Sequence, residues 1–77
     1  MEGYVEIRFY EETVDVTIEK EDGFIKNLDY VTSISIDPFL DRVIVSGLRL
    51  EHYYAHLSEI RKITIGDYVL TIEKKDV

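Results

Sequence analysis

The chain contains no cysteine, which removes disulfides and thiolate metal sites and fits a reducing compartment. It has no apolar run near the roughly 18 residues that cross a bilayer. The first ten residues already alternate and carry Glu2, Glu6 and Arg8, unlike a signal peptide. Its four glycines are scattered and form no phosphate-cradling loop, and Ser33, Ser35, Ser46 and Ser58 lack the setting of a nucleophile elbow. Basic charge is scarce as well: 9 Lys and Arg stand against 16 Asp and Glu, a net charge of −7. Such a surface repels nucleic acid and anionic membranes. The expectation is a cytoplasmic protein that is not an enzyme, has no cofactor, and makes no direct contact with nucleic acid or membrane.

Glutamine is absent, and Asn27, Ala55 and Met1 are the sole residues of their kinds. Few thermolabile side chains amid abundant charge is a thermophile pattern, though an AT-rich genome produces it too. The 77 residues allow one domain with one small core. A chain of this length buries only about 60% of its unfolded surface, so oligomerisation or very regular packing is the expected support.

What is present is unevenly placed. Residues 1–22 hold eight carboxylates against Arg8 and Lys20, a sum of −6, and residues 23–77 hold eight acids against seven bases, a sum of −1. The acidic segment also alternates. Val5, Ile7 and Phe9 fall on one face of a strand and Val14, Val16 and Ile18 do the same after Glu11-Glu12, so a hairpin over 3–20 turning there is expected. Its core face sets Phe9 opposite Val14, Ile7 opposite Val16 and Val5 opposite Ile18. That register sets Arg8 opposite Asp15 and collects Tyr4, Glu6, Arg8, Tyr10, Asp15 and Glu19 on one polar face, with Glu11 and Glu12 at the tip. Tyrosines among charges suit a contact surface, because Tyr offers area and a hydroxyl at little entropic cost. The bland alternative is a solvated face on which Tyr4 and Tyr10 cover the edge of the core.

Glu21-Asp22-Gly23 marks a turn, and the six residues after it are ambiguous. Strands are expected over 30–36 and 42–46 around Asp37-Pro38, with Ile34 facing Ile44 or Val45. Leu50, Tyr53, Tyr54, Leu57 and Ile60 then form an apolar stripe at helical spacing, predicting a helix over about 48–60. A second hairpin closes the chain over 61–74, its Gly66-Asp67 turn pairing Ile65 with Tyr68, Thr64 with Val69 and Ile63 with Leu70. The expected fold is α+β: one domain, a mostly antiparallel sheet of about six strands in the order β-β-β-β-α-β-β, and one packed helix.

Three functional readings follow. The first is a protein-interaction module whose acidic, tyrosine-bearing hairpin meets a basic protein partner, with self-association into a homo-oligomer as a companion. The second, resting on analogy, is a small viral or mobile-element inhibitor that mimics nucleic-acid charge to block a host DNA- or RNA-binding protein. The third is metal binding: His52 and His56 stand four apart on the expected helix with Glu59 three further on, a spacing that stacks ligands for a divalent ion. His-Tyr-Tyr-Ala-His lacks the catalytic Glu of a zincin, and the plain alternative is a pair of solvent-facing histidines.

Overall fold

A computed structural model describes residues 5–10, 12–49 and 52–73. Its regular elements are β1 (Val5–Arg8), β2 (Val14–Lys20), β3 (Ile25–Asp37), β4 (Arg42–Gly47), β5 (Tyr53–Ala55), a single 3-10 turn (Leu57–Glu59), β6 (Ile60–Ile65) and β7 (Tyr68–Thr71). All seven strands join one antiparallel sheet, ordered β5-β4-β3-β2-β6-β7, with β1 also on β3. None of the described elements is long and apolar enough to cross a membrane as a helix.

The expected α+β class is therefore overturned, because the stretch assigned to a helix over 48–60 is β5 and the 3-10 turn. Tyr53, Ala55 and Leu57, which alternate, pack against the core, while Tyr54 between them faces solvent. Tyr53 and Leu57 belong to both patterns, whereas Tyr54 fits the helical spacing alone and Ala55 the alternation alone. Pairing decides between them: as a strand, this segment covers the edge of β4, with Val43, Ile44 and Val45 opposite Ala55, Tyr54 and Tyr53. His, Tyr and Ser are indifferent helix formers and offer little resistance to that outcome.

The N-terminal hairpin is corrected too. β1 and β2 do not pair with each other; both lie antiparallel to β3, end to end along the same edge. Val5 to Arg8 run opposite Ile36 to Ser33, and Val14 to Glu19 opposite Val31 to Ile25. Between them the Phe9 N–H donates to the Thr32 carbonyl at 3.0 Å, after which the chain leaves the sheet and returns at Val14. The phase change between Phe9 and Val14, which suggested a turn, is absorbed by this excursion. Glu-Glu lacks the positive-φ preference that a two-residue hairpin loop demands.

The β2–β3 hairpin forms where Glu21-Asp22-Gly23 marks it. The Lys20 N–H bonds the Phe24 carbonyl at 2.8 Å, Asp22 Oδ1 accepts from the Phe24 N–H at 2.9 Å, and Gly23 supplies the φ of +94°. β3 then bends sharply. Its buried residues are Leu28, Val31 and Ile34, three apart, and the ladders shift register on both sides of Val31. Tyr30 sits at φ +60°, outside the strand region. These bulges rephase the strand so that its first half carries β2, β6 and β7 while its second half carries β4, β5 and β1. Both inner faces close on one aliphatic core: Val16, Ile18, Leu28, Val31, Ile34, Val43, Val45, Ile60, Ile63 and Ile65. Ile34 faces Val45, one of the two registers the sequence allowed.

The crossing from β5 to β6 is clasped from both sides. Asp41 Oδ1 accepts from the Ser58 N–H at 2.7 Å, its Oδ2 from the Ser58 hydroxyl at 2.8 Å, and its carbonyl from the Leu57 N–H at 3.2 Å. The Glu21 N–H donates to the Glu59 carbonyl at 2.8 Å. The β3–β4 and β2–β3 turns thus hold the two halves of the sheet around one core.

Candidate functional site

The C-terminal hairpin has the expected pairing, with Ile65 opposite Tyr68, Thr64 opposite Val69 and Ile63 opposite Leu70. Gly66 takes φ +57° and Asp67 does not share the positive φ, as a type II′ turn requires. Tyr68, however, does not pack beside Ile65 as a buried residue. Every residue of β7 is exposed: Tyr68 is 77% accessible, Val69 55% and Leu70 36%. Ile63 and Ile65 lie in the core, so Tyr68 and Leu70 prolong its apolar face beyond β6 onto β7.

The backbone of β7 is equally open. The Ile72 N–H donates to the Arg61 carbonyl at 3.0 Å. Antiparallel ladders alternate bonded and unbonded pairs, so Ile63 with Leu70 and Ile65 with Tyr68 are bonded pairs. The N–H and C=O groups of Val69 and Thr71 therefore point away from β6, and among the described residues no strand lies on that side. Natural edges are guarded by shortness, charge, proline or a bulge; Tyr68-Val69-Leu70-Thr71 is four residues long but carries no charge, proline or bulge.

The residues expected to form an acidic face are placed quite differently. Tyr4 and Glu11 lie outside the described residues. Glu6 is paired with Arg8 on its own strand at 2.8 Å, so the anticipated Arg8–Asp15 pair is absent. The Asp15 carbonyl accepts from the Gly66 N–H at 3.1 Å. Tyr10 and Glu12 are exposed in the excursion between β1 and β2. Glu19 takes a hydrogen bond from the Arg61 guanidinium and has the Lys62 ammonium at 3.5 Å. The outer residues thus follow one another along β1 and β2, set end to end beside β3, instead of sharing a compact hairpin face.

Arg61, aided by Lys62, holds the Glu19 carboxyl below the usual carboxylate range. A depressed folded-state pKa contributes stability that is present at neutral pH and lost as pH falls through the carboxylate range. Glu19→Gln is therefore expected to lower the urea midpoint at pH 7 and to converge on the wild type at strongly acid pH. An equal difference between the two at both pH values would show that the pair carries no such linkage.

The histidines are separated by β5. An extended stretch rises about 3.3 Å per residue, so four residues place them roughly 13 Å apart instead of stacking them as a helix would. His52 Nδ1 is 2.8 Å from the Ser46 hydroxyl, and His56 Nδ1 is 3.8 Å from Asp41 Oδ2. Glu59 lies in the 3-10 turn with Lys20 at 3.8 Å, and no cluster of three potential ligands occurs among the described residues. The helical ligand spacing disappears with the helix.

One further surface combines cations and rings. Arg49 lies 4.8 Å from the centre of the Tyr30 ring and Lys26 lies 5.8 Å from that of Tyr53, beside an open groove lined in part by Leu28. Both cations are engaged by rings of the same chain, and Asp29 also lines the groove. Comparison with protein-family models, curated proteins and solved structures finds no match.

Proposed function

We propose that this protein is a non-enzymatic protein-interaction module and that β7 is its contact element. The observation that carries the reading is an uncharged strand with apolar side chains on both faces and an outer edge that no strand among the described residues pairs. Such an edge recognises a polypeptide by strand addition: backbone hydrogen bonds supply affinity, and alternate side chains supply selectivity. Action by contact is further supported by the core, since the buried positions among the described residues are aliphatic, whereas acid–base catalysts are tuned by burial or charged neighbours. Glu19, whose titration is shifted, is shifted away from the range such a catalyst uses.

The acidic stretch has a smaller part in this reading. Glu6 and Glu19 already hold cations of the same chain, which weakens their appeal to a basic partner and their resemblance to a row of phosphates. A photo-crosslinking side chain placed at Tyr68 in the protein's native cell tests the contact element, with Asp22 at the β2–β3 turn as control position. Adducts with any polypeptide, its own or foreign, are expected at Tyr68 and not at Asp22. No adduct at Tyr68 would remove β7 as the contact element.

A further inference from the structure

Resting on that reading, we infer that the strand received by β7 is β7 of a second copy of this chain, paired antiparallel about a two-fold axis through Leu70. A two-fold contact uses the same patch on both partners, so the patch must complement itself. β7 does so in one register. With Leu70 opposite Leu70 of the second copy, Val69 falls opposite Thr71 and Thr71 opposite Val69. These are the residues whose N–H and C=O groups face outward, so each free group of the edge gains a partner. The same register brings Tyr68 against Ile72 of the second copy. Ile72 packs on the core and shares the face of Tyr68 and Leu70, so the apolar layer that runs off one sheet continues into the other.

Charge permits self-association at this place on the molecule. Two chains of −7 each repel over most approaches. Residues 60–73 carry Arg61 and Lys62 against Asp67 and Glu73, two of each sign and a sum of zero. A second copy therefore meets no net charge of like sign at this hairpin. Asp67 approaches Glu73 of the second copy at either end of the pairing, and this residual repulsion is screened by salt. Self-pairing consequently tightens from low to physiological salt, whereas an acidic surface meeting a basic partner loosens. The size of the chain points the same way, since a core this small gains from a second copy.

Sedimentation velocity of the full chain, from micromolar to millimolar and at low and physiological salt, tests the inference. The wild type is expected to reach twice its 9.0 kDa mass, at lower concentration in the higher salt. Thr71→Pro deletes an outward N–H without removing a bond to β6, a place where an edge tolerates proline. It is expected to remain at 9.0 kDa with an unchanged far-ultraviolet circular dichroism spectrum. A wild type that stays monomeric throughout, or a folded Thr71→Pro that still dimerises, overturns the inference. If Thr71→Pro does not fold, amide exchange of the wild type decides. Protection of the Val69 and Thr71 N–H groups that rises with concentration supports the pairing, and exchange independent of concentration overturns it. A monomeric wild type that still crosslinks a foreign polypeptide through Tyr68 leaves the contact element standing and removes only the second copy.

Discussion

Gly47→Ala is expected to destabilise the fold by about 3 kcal/mol, the upper part of the usual range for forcing extra volume into a packed site. A Cβ at Gly47 would stand 2.5 Å from the Tyr30 carbonyl oxygen and 3.2 Å from the Val31 Cα, both of them backbone atoms. No side chain can swing aside to relieve this contact. The approach is close because β3 bends at Tyr30, and the Leu48 N–H donates to the same carbonyl at 3.0 Å. A domain of 77 residues has roughly 4–12 kcal/mol of stability in all, so the loss is a large fraction of it. Urea unfolding measures this as a lowered midpoint at an unchanged slope. Tyr30→Gly separates the two features of the bend: it relaxes the φ of +60° but leaves the carbonyl in place, so it should not rescue Gly47→Ala. A midpoint for Gly47→Ala equal to the wild type would mean that β3 and β4 are not held this closely.

Ile18→Ala should cost about 3–4 kcal/mol, within the range for deleting most of a fully buried aliphatic side chain. Ile18 is 0% exposed and lies in β2 between Lys26 of β3 and Ile63 of β6. Both flanking strands are fixed by hydrogen bonds, so the void has little freedom to collapse. Ile18→Val, which removes one methylene, should cost about 1 kcal/mol. Ile63 packs in the same layer and is also fully buried, so the costs of Ile18→Ala and Ile63→Ala should not simply add. Chemical denaturation of the two single variants and the double variant measures this. A small effect of Ile18→Ala beside an intact circular dichroism spectrum would place the centre of the core elsewhere.

Parts of this architecture could be read along the chain because their causes are local. The II′ turn at Gly66-Asp67 needs one residue with positive φ, and its pairing follows directly from the turn. Glu21-Asp22-Gly23 likewise carries its own turn chemistry. The partner of β1 was not legible, because alternation in residues 5–18 states which side chains face inward and not which strand lies alongside. The stripe from Leu50 to Ile60 was misleading because Tyr53 and Leu57 fit a helical and an alternating pattern equally, and pairing with the edge of β4 selected the alternating one, which turns Tyr54 outward.

The candidate site was less legible than the fold. The charge of residues 1–22 is plain in the sequence, but whether Glu6 and Glu19 are available depends on where Arg8, Arg61 and Lys62 reach. Tyr68, Val69 and Leu70 resemble any other strand until β7 is seen to be the last in its sheet. A signal was nonetheless present in the uncharged Tyr68–Thr71 run, a composition that suits an interior strand and stands exposed at an edge.

By itself, the sequence determined a small, acidic, cysteine-free chain dominated by β-branched alternation, with turns at Glu21–Gly23 and Gly66-Asp67, since composition and short-range backbone preference act within a few residues. Tertiary structure alone decided that β3 would bend at Tyr30, that β1 and β2 would share one edge of it, that 53–59 would be a strand and a 3-10 turn, and that β7 would stand last among the described strands of the sheet. Each of these outcomes depends on backbone hydrogen bonds and buried surface between residues far apart in the chain, where local preference is too weak to choose.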